Sequence, residues 1–176
     1  MADTSRTLAA LQALLPDNTS GDVSPQDLRD FLLSVLSGYG TIYVQGASTA
    51  QGSITTTPGA KMTGFGGNGE SSSDISADHT DDSLTVSVAG KYMVNCQLSF
   101  SGTASKTFHF KAHVDGAASL LGCSRKLGTG GDVGSCSFSG ILDLAAAEVV
   151  TVYVYSSDGG TSMTLVDGQL TLTRVE

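Results

Sequence analysis

Hydrophobic residues along this chain follow two periods, and the change between them divides it. In the opening stretch Leu8, Leu11 and Leu15 recur at helical spacing, with Leu14 close by and Thr4 or Ser5 placed to cap the start. Pro16 stops that run, and the DNTSG sequence of residues 17–21 reads as a turn. A second run is better punctuated. Ser24 suits an N-cap, Pro25 takes the first helical position where no donor is lost, and Asp27 can complete a capping box. Leu28, Phe31, Leu32 and Val35 then form one stripe, which Gly38 and Gly40 end. These signals predict two short N-terminal helices in an arm over residues 1–38. Helices this short cannot bury their stripes alone, so the arm must pack on itself, on the head, on sister arms or on another protein.

From Thr41 onward the period is two. Residues 41–44 read as a first strand, and after a glycine- and serine-rich stretch residues 83–88 read as another. In residues 91–100, Tyr92, Val94, Cys96, Leu98 and Phe100 share one face, opposite Lys91, Asn95, Gln97 and Ser99. Phe108, Phe110, Ala112 and Val114 repeat the pattern opposite His109, Lys111 and His113, and Asp115-Gly116 turns the chain into a short strand over 120–123. Cys136, Phe138, Gly140, Leu142 and Leu144 share a parity in residues 134–144. A terminal strand or hairpin covers 161–175, with a turn or a bulge at Asp167-Gly168. Many strands punctuated by Gly, Asp and Ser predict an all-β head over residues 39–176. An antiparallel jelly-roll sandwich fits best, because two apolar inner faces can cover one another. Residues 149–155 are apolar on both parities, which marks Tyr153 and Tyr155 as an oligomer interface or as a face beneath a loop.

Composition narrows the function. The chain carries 17 acidic against 9 basic Lys and Arg residues, a formal charge of −8, which argues against tracking nucleic-acid phosphates. No apolar run is long enough for a membrane span, and no conventional secretory signal is visible at the N-terminus. The three cysteines are widely spaced and odd in number, so buried thiols are expected at Cys96 and Cys136, with a bridge, a metal ligand or a reactive group as alternatives.

Candidate chemistry is sparse. The glycines at 64, 66, 67 and 69 are not followed by the Lys-Ser or Lys-Thr of a nucleotide loop. Asp74, Asp78, Asp81 and Asp82 form a possible cation site for a hard ion such as calcium, though without the order of a recognised calcium loop. His109 and His113 share an outward strand face and are expected to be exposed or interfacial, a metal site between copies being the less favoured option. No nucleophile elbow appears, and no cofactor or enzymatic activity is expected.

Residues Val88–Val94 and Cys96–Phe100, then Phe108-His109-Phe110, Val114-Asp115-Gly116, Phe138-Ser139-Gly140 and Gly168–Val175, together resemble the complement-head and tumour-necrosis-factor-like jelly rolls. The segment from Leu15 to Pro25, followed by Asp27-Leu28-Arg29, is similar to the short helical leaders of bacteriophage virion proteins. Together these resemblances imply a homotrimer on a phage particle, assembled in the host cytoplasm. Its role would be a capsid decoration or head-fibre subunit whose arm residues Leu8, Leu11, Leu15, Leu28, Phe31, Leu32 and Val35 seat it on a major capsid or tail protein. A tail-associated module for a host receptor or glycan is the alternative.

Overall fold

In a computed structural model of the 176-residue chain, residues 24–35, 38–130, 132–158 and 160–176 are described. One helix lies among them, α1 (Pro25–Val35). The helix expected earlier, with Leu8, Leu11 and Leu15, falls outside the described residues. The start of α1 forms as its residues dictate. Asp27 Oδ2 accepts from the Ser24 amide at 2.9 Å and from its hydroxyl at 2.7 Å, while the Asp27 amide donates to Ser24 Oγ at 3.2 Å.

Twelve strands follow. The first six are short: β1 (Tyr39–Val44), β2 (Thr49–Ile54), β3 (Ala60–Lys61), β4 (Gly67–Ser71), β5 (Ile75–Asp78) and β6 (Ser83–Val86). The last six are longer: β7 (Gly90–Gly102), β8 (Thr107–Val114), β9 (Ala117–Lys126), β10 (Val133–Leu144), β11 (Val149–Ser156) and β12 (Thr161–Arg174). They pair antiparallel in two sheets. The first runs β10-β7-β12-β1-β4, with β2 also on β12; the second runs β5-β6-β11-β8-β9, with β3 also on β11. From β6 to β8 and again from β9 to β12 the chain alternates between sheets. That crossing pattern makes a jelly-roll sandwich.

The predicted inward parities form the core. Tyr92, Val94, Cys96, Leu98 and Phe100 of β7 face Phe108, Phe110 and Ala112 of β8 and Val150, Val152 and Val154 of β11, all buried. Phe100 joins the two sheets, its ring centre lying 5.6 Å from Phe108 and 4.8 Å from Phe110 in edge-on geometry. The glycine–aromatic entry to β7 has a packing reason. Gly90 lies against the backbone carbonyl of Glu176, which leaves no room for a side chain, and buried Tyr92 donates its hydroxyl to Val88 O at 2.6 Å.

Residues 161–174 form one strand rather than a hairpin. A bulge between Leu165 and Asp167 lets its first half pair with β2 and its second with β1. Cys136 does not carry a free thiol: it bridges to Cys123, with Cα atoms 6.2 Å apart, tying β9 of one sheet to β10 of the other. Cys96 is the buried free thiol among the described residues.

Candidate functional site

The outer face of the first sheet shows what alternation leaves outside once the core residues turn in. On β1 that face presents Tyr39, Thr41 and Tyr43, which register with Thr173, Thr171 and Gln169 of β12. These in turn register with Met93, Asn95 and Gln97 of β7, and those with Ile141, Ser139 and Ser137 of β10. These twelve positions carry no Asp, Glu, Lys or Arg; charge enters at the rims of the face, at Lys91 and Asp143 beyond Met93 and Ile141 and at Asp167 beyond Gln169. Its large apolar side chains are open: Tyr39 is 45% exposed, Tyr43 42%, Met93 44% and Ile141 55%. Thr41 and Thr171 hydroxyls pair at 3.1 Å, and Gln97 Nε2 donates to Gln169 Oε1 at 2.9 Å, so the polar positions largely satisfy one another. Gly67 on β4 makes room for the Tyr43 ring, which a Cβ there would approach to 2.9 Å.

At one end the field dips into a groove of about 710 Å³ between Tyr43, Gln45, Gln97, Ser137 and Asp167. The β12 bulge shapes this end, and Asp167 there accepts the Gly46 amide at 2.7 Å. Sequence reasoning did not single out this face. Its signal was the polar parity itself, since Met93 to Ser99, Ser135 to Ile141 and Gln169 to Thr173 carry no charge in an acidic chain.

The second sheet turns the opposite chemistry outward. Tyr153 and Tyr155 of β11 are half-buried rather than open, because each lies flat against a histidine of β8. Their ring centres stand 3.8 Å from His113 and 4.6 Å from His109 respectively. His113 is therefore not an exposed histidine. It is 2% exposed, covered by Tyr153, with Nδ1 2.8 Å from the Gly116 carbonyl in the adjacent turn. Beside His109, Lys111, Ser124 and Tyr155 surround a small notch of about 190 Å³ above Gly122.

The structure does not bring the four aspartates together. Asp74 is buried against Arg174 Nη1 at 3.4 Å, and Asp81 meets Lys61 Nζ at 3.1 Å. Asp78 closes its own turn by accepting from Thr80 and Asp81, which pulls its carboxyl below the usual range. Asp82 accepts the Gly64 and Phe65 amides at 2.9 and 2.8 Å, and burial raises its carboxyl despite those bonds. Each carboxylate is committed to a different partner, and no group of three or more His, Cys, Asp or Glu among the described residues is placed to hold a metal. Proximity in sequence was misleading here because β5 carries Asp74 away from the other three, and the turn after it aims Asp78, Asp81 and Asp82 at different partners.

On α1, Leu28 and Leu32 stand exposed at 55% and 53% while Phe31 is half-buried. Buried Asp30 accepts from Gln26 Nε2 at 2.8 Å on the same helix. The helix ends at Val35, and β1 begins at Tyr39.

No protein-family model matches the sequence, and no curated protein does. Among solved structures, the Eiger TNF of S. frugiperda matches with a TM-score of 0.56 at 15% identity, covering 79% of this chain and 94% of that one. Murine APRIL at pH 5.0 matches with a TM-score of 0.48 at 14% identity, over 79% and 99% of the two chains. Identity this low speaks to architecture, and the first of these likenesses, with the strand order above, shows that the fold of this chain is a tumour-necrosis-factor-like jelly roll.

Proposed function

We propose that this chain is a non-enzymatic, homotrimeric structural subunit of a bacteriophage particle, a capsid decoration or head-fibre protein. The heads associate through the outer face of the first sheet, and the N-terminal arm over residues 1–38 docks on the major capsid or tail protein. One observation carries the reading: in a chain of charge −8, the centre of the face bearing Tyr39, Tyr43, Met93 and Ile141 carries no charged side chain, and its charges stand at the rims. Copies of an acidic protein repel one another unless the surfaces they share omit the charge, and exposed aromatic and thioether groups gain most from being covered. A ring of copies also multiplies weak arm contacts on a repeated shell, and Leu28 and Leu32 stand open on α1 for such a contact. The Cys123–Cys136 bridge suits a protein displayed outside the reducing cytoplasm in which it is assembled.

The test is the particle mass in solution. The native chain is expected to sediment as three copies across a range of concentrations. Tyr43→Lys combined with Ile141→Lys should shift it to one, and Tyr155→Lys on the opposite sheet should leave it unchanged. A native chain that stays monomeric at high concentration ends this reading, and dissociation by Tyr155→Lys alone moves the contact to the Tyr153–Tyr155 face. Binding to purified capsids should disappear on removal of residues 1–38. A second reading, a tail-associated receptor- or glycan-binding module, is favoured by the acid-free notch beside Lys111.

A further inference from the structure

The second sheet's outer face holds a small site whose composition runs against the rest of the chain. The notch of about 190 Å³ is lined by His109, Lys111, Leu120, Gly122, Ser124 and Tyr155, with no acid among its described lining residues. It exists because β9 pairs with β8 through Gly122, opposite Lys111, just before the register shifts. A Cβ at Gly122 would run into the Phe110 carbonyl and come within 3.0 Å of Lys111 Cγ, so the floor is kept open by glycine. The walls are pre-set. The His109 ring lies 11° from parallel with Tyr155, and its Nδ1 is held 2.6 Å from Ser124 Oγ, which leaves Nε2 as the nitrogen that can meet a ligand. Leu120 is 98% exposed at the rim. Two of the chain's other lysines on this side have acidic neighbours: Lys61 meets Asp81 at 3.1 Å and Lys106 meets Asp158 at 3.4 Å. Lys111 has no acid within ion-pair distance among the described residues.

We infer that this notch binds the oxyanion of an acidic saccharide, a carboxylate or sulfate held by Lys111 with hydroxyl donation from Ser124 and Tyr155, the sugar ring resting beside Leu120. An ammonium and two hydroxyls around a space of this size match one oxyanion, with His109 Nδ1–H donating to Ser124 Oγ and so freeing the serine proton for the ligand, and charge-assisted bonds to it are the strong kind. A neutral sugar gives the ammonium nothing to pair with, and the absence of a lining carboxylate leaves an anion unopposed. The inference deepens the second functional reading and does not depend on how the heads associate, since the uncharged field lies on the other sheet.

The test is an NMR titration of the isotope-labelled full chain with four probes: the methyl glycoside of N-acetylneuraminic acid, a sulfated galactoside, the unsulfated galactoside and inorganic sulfate. Both acidic sugars should shift the amides of residues 109, 111, 122 and 124 saturably, and the neutral galactoside should not. Lys111→Gln should weaken both acidic sugars by about tenfold or more, the loss expected for one charge-assisted contact. Tyr155→Phe, which keeps the ring stack, should weaken them less and leave the melting temperature in place. Failure of both acidic sugars to shift these amides overturns the inference, as does an equal response to the neutral galactoside. Inorganic sulfate binding as tightly as the sulfated sugar also overturns it, the notch then holding an adventitious ion only. Sedimentation of the same samples separates the two proposals, because monomers that bind acidic sugar refute the trimer alone, and trimers that bind none refute the notch alone.

Discussion

At the residue scale, burial decides reactivity. Cys96 lies within the core, and desolvation pushes its thiol up to about 12, so almost none of the reactive thiolate exists at neutral pH. Iodoacetamide should therefore leave Cys96 unmodified in the native chain and alkylate it once the chain is unfolded, as read by intact mass. Asp82 is the residue where burial and hydrogen bonding compete. Desolvation raises its carboxyl above the ordinary 3.8 although the Gly64 and Phe65 amides pull the other way. A raised carboxylate contributes stability that is full below 3.8 and is lost as pH rises through the folded-state value. Asp82→Asn keeps an oxygen for both amides but has no charge to desolvate. It should flatten the decline in stability above pH 3.8 that this group causes, measured as urea midpoints across acidic pH.

At the element scale, the edge between β9 and β10 is where the sandwich depends on a covalent tie. The two strands belong to different sheets, and the bridge between Cys123 and Cys136 spans 13 positions. Closing a loop of that size restrains the unfolded chain by about 3 kcal/mol on the chain-entropy estimate. The double variant Cys123→Ser with Cys136→Ser should lose about that much in urea unfolding, and native wild-type under strong reductant should lose the same. β12 is the complementary case. One bulge between Leu165 and Asp167 re-aims a strand that then serves β1, β2 and β7 together, and it also shapes the end of the uncharged field. At the helix, the Ser24–Asp27 box formed because both residues are local to it, so no distant contact was needed to set it.

At the scale of the whole molecule, Phe100 connects the sheets through Phe108 and Phe110, and all three rings are fully buried. Phe100→Ala opens a cavity between layers that cannot close without moving both, so a loss of about 3–5 kcal/mol is expected by denaturant unfolding. The two outer faces divide the remaining chemistry. The centre of the first sheet turns out amides, hydroxyls and a few apolar groups, with Lys91, Asp143 and Asp167 at its rims, whereas the second turns out Lys111 beside histidine–tyrosine stacks. A net charge of −8 hides this division, since most acids sit in turns and at strand ends rather than on either field.

Alternation determined two of the long strands. Tyr92 to Phe100 and Phe108 to Val114 fold where the period of two places them, because a half-buried strand must send every second side chain inward, while Val149 to Tyr155 was marked as a strand by its apolar β-branched run rather than by alternation. The Asp115-Gly116 turn was equally local, with both residues at positive φ. Strands β2 to β5 were not legible. They are short and carry little apolar alternation, and their backbones are recruited by partners that already exist, such as β12 for β2 and β11 for β3. Tertiary structure alone decided the pairing of Cys123 with Cys136, the scattering of the four aspartates and the covering of His113. It also decided which charge-free positions share one face. Each depends on strands distant in sequence coming into register, and periodicity within one strand carries no information about its neighbours.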